Sequence, residues 1–386
     1  MKETSGIASS AYKICTKLVM DTSDPEISFD GEGICNHYWD FQKNVKPRWQ
    51  TGLEGRRQLE ATVAAIKEAG QGREFDCIMG MSGGADSSYM LHMMVTEFGL
   101  RPLVFHVDGG WNSELAVHNI SAMIDKLGLD LYTEVINWEE MRNFQLAMFK
   151  SGVPHIDIPQ DHAFIGVLYK FARKHGIKYI LNGGNVSTEC VVNPLQYFYW
   201  GTDMVQIRDI LSRYGQLPMR TYPFSSIFYH KVYLRYLRGV KVIKPLNFIP
   251  YVKQEAMDLM EIEYGWKPYP QKHFESRFTR FFEGYWLPTR FGFDVRRVQY
   301  SSLILTGQMT RDEALKKLEQ PPYDPELIEQ DFGYIATKLG ISKDELRGYH
   351  EMPRKFYWDY RNQRSVFEWG EKVLWKVAGN RRGGGY

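Results

Sequence analysis

Residues 79–90 read MGMSGGADSSYM, and this stretch decides the fold. Before it lies an apolar segment with Phe75, Cys77, Ile78 and Met79; after it the apolar pattern resumes at Tyr89, Met90, Met93 and Met94, now at helical spacing. The first run reads as a strand over 74–81 and the second as a helix over 86–98. Two adjacent glycines between them are locally costly, so something must be gained where side chains are absent. In a strand-to-helix turn, glycines let backbone N–H groups approach an anion, and the helix N-terminus adds partial positive charge. Neither GxxxxGK[ST] nor GxGxxG follows a strand here, which sets aside two better-known glycine motifs.

Outward from this turn the alternation continues. Strands are expected over 102–107 (PLVFHV), 131–136 (LYTEVI) and 177–182 (IKYILN), with helices over 113–127, 138–150 and 161–175. Apolar strands alternating with helices imply an α/β fold, a doubly wound parallel sheet covered on both faces. A helix over 52–69 precedes the sheet, and beyond about residue 200 the pattern turns helical and aromatic. Thr310-x-x-Glu313 and Ser342-x-x-Glu345 read as capping boxes, Pro325 suits a first helical turn, and Gly340 a helix stop. Three parts follow: an N-terminal appendage with its linking helix (1–72), an α/β domain (73–250) and a C-terminal helical region (251–386).

At 44% hydrophobic and 24% charged residues, the 386-residue chain has the composition of an ordinary globular protein. It has no run of 18 apolar residues, so no membrane span is expected, and MKETSGIASSAYK lacks the apolar core of a signal peptide. Four cysteines make no disulfide framework and fit a reducing cytoplasm. A net charge of +2 argues against a nucleic-acid partner gripped through many phosphates.

In such a fold ligands bind beyond the carboxyl ends of the strands, where residues 82–87 lie. Ser82, Ser87 and Ser88 can donate hydroxyls to phosphate oxygens, alongside Gly83 and Gly84. Asp86 would repel a phosphate unless a cation sits between them, so it reads as a Mg²⁺ ligand. Asp108, in HVDGGWN, is either a nucleotide or metal contact or a turn residue. Asn182-Gly183-Gly184-Asn185 and Thr188-Glu189 end another strand and face the same crevice, for substrate placement or as a plain turn.

SGGADS matches the SGGxDS signature of the PP-loop ATP pyrophosphatases. That resemblance implies a pyrophosphate-binding loop formed by Ser82, Gly83, Gly84, Asp86, Ser87 and Ser88, with ATP and Mg²⁺ as cofactors. It also implies chemistry in which an oxygen is adenylylated and AMP is then displaced. Three longer stretches narrow the resemblance: KICTKLVMDTSDPEISFDGEGICNHYWDF, LNGGNVSTEC, and HFESRFTRFFEGYWLPTRFGFDVRRVQYSSLILTGQMTRDEAL. They resemble the N-acetyl sugar amidotransferases of lipopolysaccharide and O-antigen assembly. Those enzymes convert an acetamido group into an acetamidino group, and the implied substrate is a UDP-linked 2,3-diacetamido uronic acid, with nonulosonic acids second.

The resemblance also implies site residues. Asp86, Asn185 and Arg277 are the catalytic candidates; Arg277 and Arg280 would hold substrate; Asp108, Gly183 and Lys253 would join the loop in holding ATP. An amphipathic packed helix with a solvated face is the plainer reading of the arginines, and a solvated helix-start lysine that of Lys253. The family carries two C-x-x-C pairs suited to zinc, whereas here Leu18 follows Cys15 and Tyr38 follows Cys35 where the partners belong. Zinc is therefore not expected, packing of Leu18, Phe29, Tyr38, Trp39 and Phe41 replacing it; Cys77 and Cys190 read as buried apolar residues. No glutaminase motif is visible, so ammonia must come from elsewhere, and the resemblance implies a separate glutaminase subunit of the imidazole-glycerol-phosphate synthase type, with its cyclase-like companion. The alternative is a PP-loop tRNA-modifying enzyme of thiolase or lysidine synthetase type, disfavoured by the near-neutral charge and by the lack of paired catalytic cysteines.

Overall fold

The computed structural model describes residues 12–229 and 239–377; the MKETSGIASSA start and the RRGGGY tail lie outside them. Five parallel strands form one sheet: β1 (Cys77–Gly80), β2 (Pro102–Asp108), β3 (Leu131–Val135), β4 (Tyr179–Leu181) and β5 (Lys241–Ile243). Their spatial order is β3-β2-β1-β4-β5. In register, Cys77 lies beside Pro102, Ile78 beside Ile180, and Tyr179 beside Lys241. The central strand shows why both faces must be covered: Cys77 and Met79 enter one apolar core with Met90, Met94 and Met260, while Ile78 enters the other with Phe105, Phe144 and Trp286. Successive strand residues point to opposite faces, so an unbroken apolar run needs two cores.

Helices α1 (Asn36–Asp40) and α2 (Leu53–Ala69) precede the sheet; α3 (Ala85–Thr96) and α4 (Glu114–Leu127) follow β1 and β2. Between β3 and β4 run α5 (Trp138–Ser151) and α6 (Ile158–Lys174), and α7 (Val186–Glu189) and α8 (Met204–Tyr214) precede β5. The C-terminal region holds α9 (Lys253–Tyr264), α10 (Arg277–Phe281), α11 (Arg296–Leu305), α12 (Arg311–Leu318), α13 (Pro325–Leu339), α14 (Lys343–Glu351) and α15 (Arg364–Val377). Winding reverses between β1 and β4, which opens a crevice at their carboxyl ends.

The helix limits follow local chemistry. Thr310 and Glu313 close a reciprocal capping box on α12, Asp324 caps α13 with Pro325 in its first turn, and Gly340 ends α13 at φ +70°. Ser342 accepts from the Glu345 N–H at 3.0 Å, but the Glu345 carboxylate accepts from the Tyr349 hydroxyl instead of returning to the cap, so this box is half made. Strand β5 has no counterpart in the sequence reading: it is three residues long, at a sheet edge, between lysines and before Pro245.

The N-terminal appendage packs onto α11 and α12. Arg311 Nη2 donates to the Cys15 carbonyl at 2.9 Å, and Arg297 pairs with Asp21 at 3.0 Å. Cys15 and Cys35 meet inside, the Cys35 N–H lying 3.2 Å from Cys15 Sγ, with Leu18 and Phe41 buried beside them. Trp39, expected in this packing, is largely at the surface and donates its indole N–H to Asp30 at 2.8 Å. His37 turns to Asp24 at 2.7 Å, away from the cysteines.

Candidate active site

At the carboxyl end of β1, Gly83 adopts φ +83°, and a Cβ on it would lie 2.9 Å from the Ala116 carbonyl, so only glycine fits. Its own carbonyl is turned outward and accepts from Trp266 Nε1 at 3.0 Å and from the Tyr269 hydroxyl at 3.2 Å. Ser82 Oγ accepts from the Gly84 N–H at 3.2 Å, and Ser87 Oγ donates to the Gly84 carbonyl at 3.1 Å. The second glycine turn rests on this one: a Cβ on Gly183 would meet Ser87 N at 3.1 Å. Both turns border a cleft of 590 Å³, walled by Phe164 and Leu168 of α6, Lys253 of α9, the 269–275 segment, and Tyr300 in the middle of α11.

Asp86 is the electrostatic centre. It accepts from the Tyr251 hydroxyl at 2.7 Å and from Lys272 Nζ at 3.0 Å. Burial alone would raise its pKa, but Lys272, Lys253 and the Tyr251 hydrogen bond outweigh that and hold it at about 2. The Lys272 ammonium also lies 2.6 Å from Glu189 and 3.2 Å from the Thr188 hydroxyl, and these carboxylates outweigh burial and raise its pKa. Lys253 is shifted the other way, burial lowering it despite Asp86 nearby.

Two carboxylates and a hydroxyl therefore converge on one point, now filled by an ammonium. Among the described residues no group of three or more His, Cys, Asp or Glu could hold a metal ion. A divalent cation fits here only if phosphate oxygens complete its shell, as is usual for Mg²⁺.

Several expected site residues are elsewhere. Ser88 lies one helix position past the loop and turns into the core, with no partner for its hydroxyl. Asp108 serves its own turn, accepting from the Gly110 N–H at 2.8 Å. Asn185 is buried and caps α7, accepting from the Thr188 N–H at 2.9 Å. Arg277 and Arg280 turn away from the cleft onto the buried Asp331, at 2.6 Å each, and Arg277 also covers the Tyr334 ring at 3.7 Å. For Asn185, Arg277 and Arg280 the reason is that an open helix terminus or a buried carboxylate claims a polar side chain before a ligand can.

Ser82, Gly84, Asp86, Ser87, Gly183 and Lys253 line the cleft, with Gly83 shaping the loop. Lys272 and Glu275 reach the loop from far along the chain, and the sequence reading singled out neither as a site residue. Pro268 and Pro270 mark their segment as an ordered non-helical crossing, which was the one available signal.

Residues 275–374 match the family model described as LPS biosynthesis protein WbpG-like, C-terminal domain. Over this stretch the chain is similar to that WbpG-like family. This domain begins at Glu275, inside the cleft wall, and supplies Tyr300 and Lys317 to the same cleft. An uncharacterized protein of Methanocaldococcus jannaschii, MJ1599, is 20% identical over 311 residues, 79% of this chain and 92% of that one. Among solved structures, NMN synthetase from Francisella tularensis is 14% identical, with a TM-score of 0.28 over 57% of this chain and 99% of its own. NH3-dependent NAD synthetase from Campylobacter jejuni is 15% identical, with a TM-score of 0.28 over 78% and 98%. The U34-tRNA thiolase NcsA from Methanococcus maripaludis, with its [4Fe-4S] cluster, is 13% identical, with a TM-score of 0.30 over 78% and 82%. At such scores none of these likenesses carries weight for activity.

Proposed function

We propose that the protein is an ATP-dependent, AMP-forming amidotransferase that converts the acetamido group of a surface-polysaccharide sugar, a UDP-linked 2,3-diacetamido uronic acid, into acetamidino. The observation that carries this reading is the union of the SGGADS turn and the WbpG-like domain in one 590 Å³ cleft, a size that suits a small-molecule site. An amide is a poor electrophile, and its oxygen leaves only once it is adenylylated. The chain's residues serve that step by positioning and by charge. Ser82, Gly84 and Ser87 would hold the polyphosphate, and Lys253 and Lys272 would neutralise it. Asp86 and Glu189 would hold a phosphate-bound Mg²⁺, which when present offsets charge on the leaving pyrophosphate. Trp266 and Tyr269 hold the Gly83 carbonyl in hydrogen bonds and so fix the shape of the loop. Phe164 and Leu168 shield the activated oxygen from water.

Ammonia is supplied by a separate glutaminase with a cyclase-like companion, and the enzyme works in the cytoplasm. Among the described residues no helix is long and apolar enough to cross a membrane. Phosphorus NMR of the protein with ATP, Mg²⁺, ammonium and a panel of acetamido sugar nucleotides tests the reading. Sugar-dependent AMP and pyrophosphate are expected; ADP and phosphate would contradict it, and AMP formation only with tRNA would move it to RNA modification.

A further inference from the structure

The segment 269–275 already places Lys272 and Glu275 where cation and nucleotide are proposed to lie. Glu275 Oε1 presses on the glycine loop: a Cβ on Gly84 would sit only 1.8 Å from it, at the N-terminus of α3. Glu275 is anchored there by its carbonyl, which accepts from the Ser113 N–H at 2.9 Å. Three residues earlier, Lys272 fills the point between Asp86 and Glu189 and is 10% exposed. Between them His273 has φ +68°, the one non-glycine residue with positive φ among those described. It is held in that strained conformation by Glu283, 2.9 Å from Nδ1.

We propose that this segment is a plug displaced by substrate: in the nucleotide-free protein Glu275 stands in for the polyphosphate and Lys272 for its cation, and a phosphate–cation pair evicts both. The proposal rests on the nucleotide reading of the cleft. An incoming polyphosphate repels Glu275 and attracts Lys272, while its divalent cation takes over Asp86 and Glu189. Lys272 then moves from carboxylates to phosphate, and the His273 backbone is free to relax. The nucleotide thus assembles its own site, and the cleft stays closed to other anions until a cation-bound polyphosphate arrives.

Full-length wild type, Glu275→Gln and Lys272→Met are titrated calorimetrically with Mg²⁺-pyrophosphate and Mg²⁺-ATP, and hydrogen–deuterium exchange of 266–276 is read without ligand. Both substitutions should speed exchange. Glu275→Gln should bind about tenfold tighter, because the competent state no longer competes with the plug. Lys272→Met should bind more weakly, since the lysine is also a phosphate partner; a merely structural role would move both affinities the same way. Wild type and Glu275→Gln binding alike, or Glu275→Gln binding more weakly, overturns the plug and leaves the nucleotide reading standing. If no form binds either ligand, the nucleotide reading falls and the plug falls with it.

Discussion

Asp86 and Lys272 hold opposite charges 3.0 Å apart, and each keeps the other ionised. Asp86 is depressed to about 2, so its contribution is present above the ordinary carboxylate range and is lost as pH falls towards that value. Lys272 is raised, so its contribution is present below the ordinary lysine range and is lost only above it. Protection of the 266–276 backbone, corrected for the intrinsic pH dependence of amide exchange, should therefore hold from about pH 5 to 8 and fall on the acid side; a midpoint near pH 6 to 7 would contradict the pairing. Gly83→Ala forces a side chain into positive φ and should cost about 1–3 kcal/mol in urea denaturation. Ser82, Gly83, Gly84, Asp86 and Ser87 were legible because they form one contiguous turn whose strand and helix could be read around it. Lys272 was not, because it meets Asp86 across 186 residues of chain, a closure that no local pattern encodes. Ser88 was misread by a single position, which on a helix is enough to turn a hydroxyl from cleft to core.

At the scale of elements, α10 and α13 are joined by Arg277, Arg280 and Asp331. A buried charge left unpaired is expensive, so removing both arginines from Asp331, Arg277→Ala with Arg280→Ala, should destabilise the fold by about 3–5 kcal/mol in chemical denaturation. If Arg277 held substrate instead, its loss would raise KM without touching stability. The alternation of strands and helices over 74–182 was legible because β1 and β2 are continuous apolar runs with helical spacing between them. Strand β5 was not: its residues Lys241 and Val242 are exposed, and its pairing with β4 is fixed by the sheet edge rather than by its own sequence.

Over the whole molecule, the three expected segments share cores. Cys15, Leu18 and Phe41 of the appendage enter the same apolar cluster as Ile78 of β1 and Trp286 of the C-terminal region. Their boundaries followed composition, whereas the packing follows the need of each sheet face for a cover. Arg311→Ala should free the appendage from α12 and speed limited proteolysis within residues 12–50; unchanged cleavage would show that apolar packing alone retains it. The account's central claim concerns the whole cleft, that ATP activates the amide oxygen itself. It is tested most directly with the acetamido sugar nucleotide labelled by oxygen-18 at the amide carbonyl, incubated with ATP, Mg²⁺ and ammonium, and its products read by mass spectrometry. The account predicts the label in AMP, none in pyrophosphate, and an amidine that has lost it. Label retained in the sugar, or found in inorganic phosphate beside ADP, would contradict it.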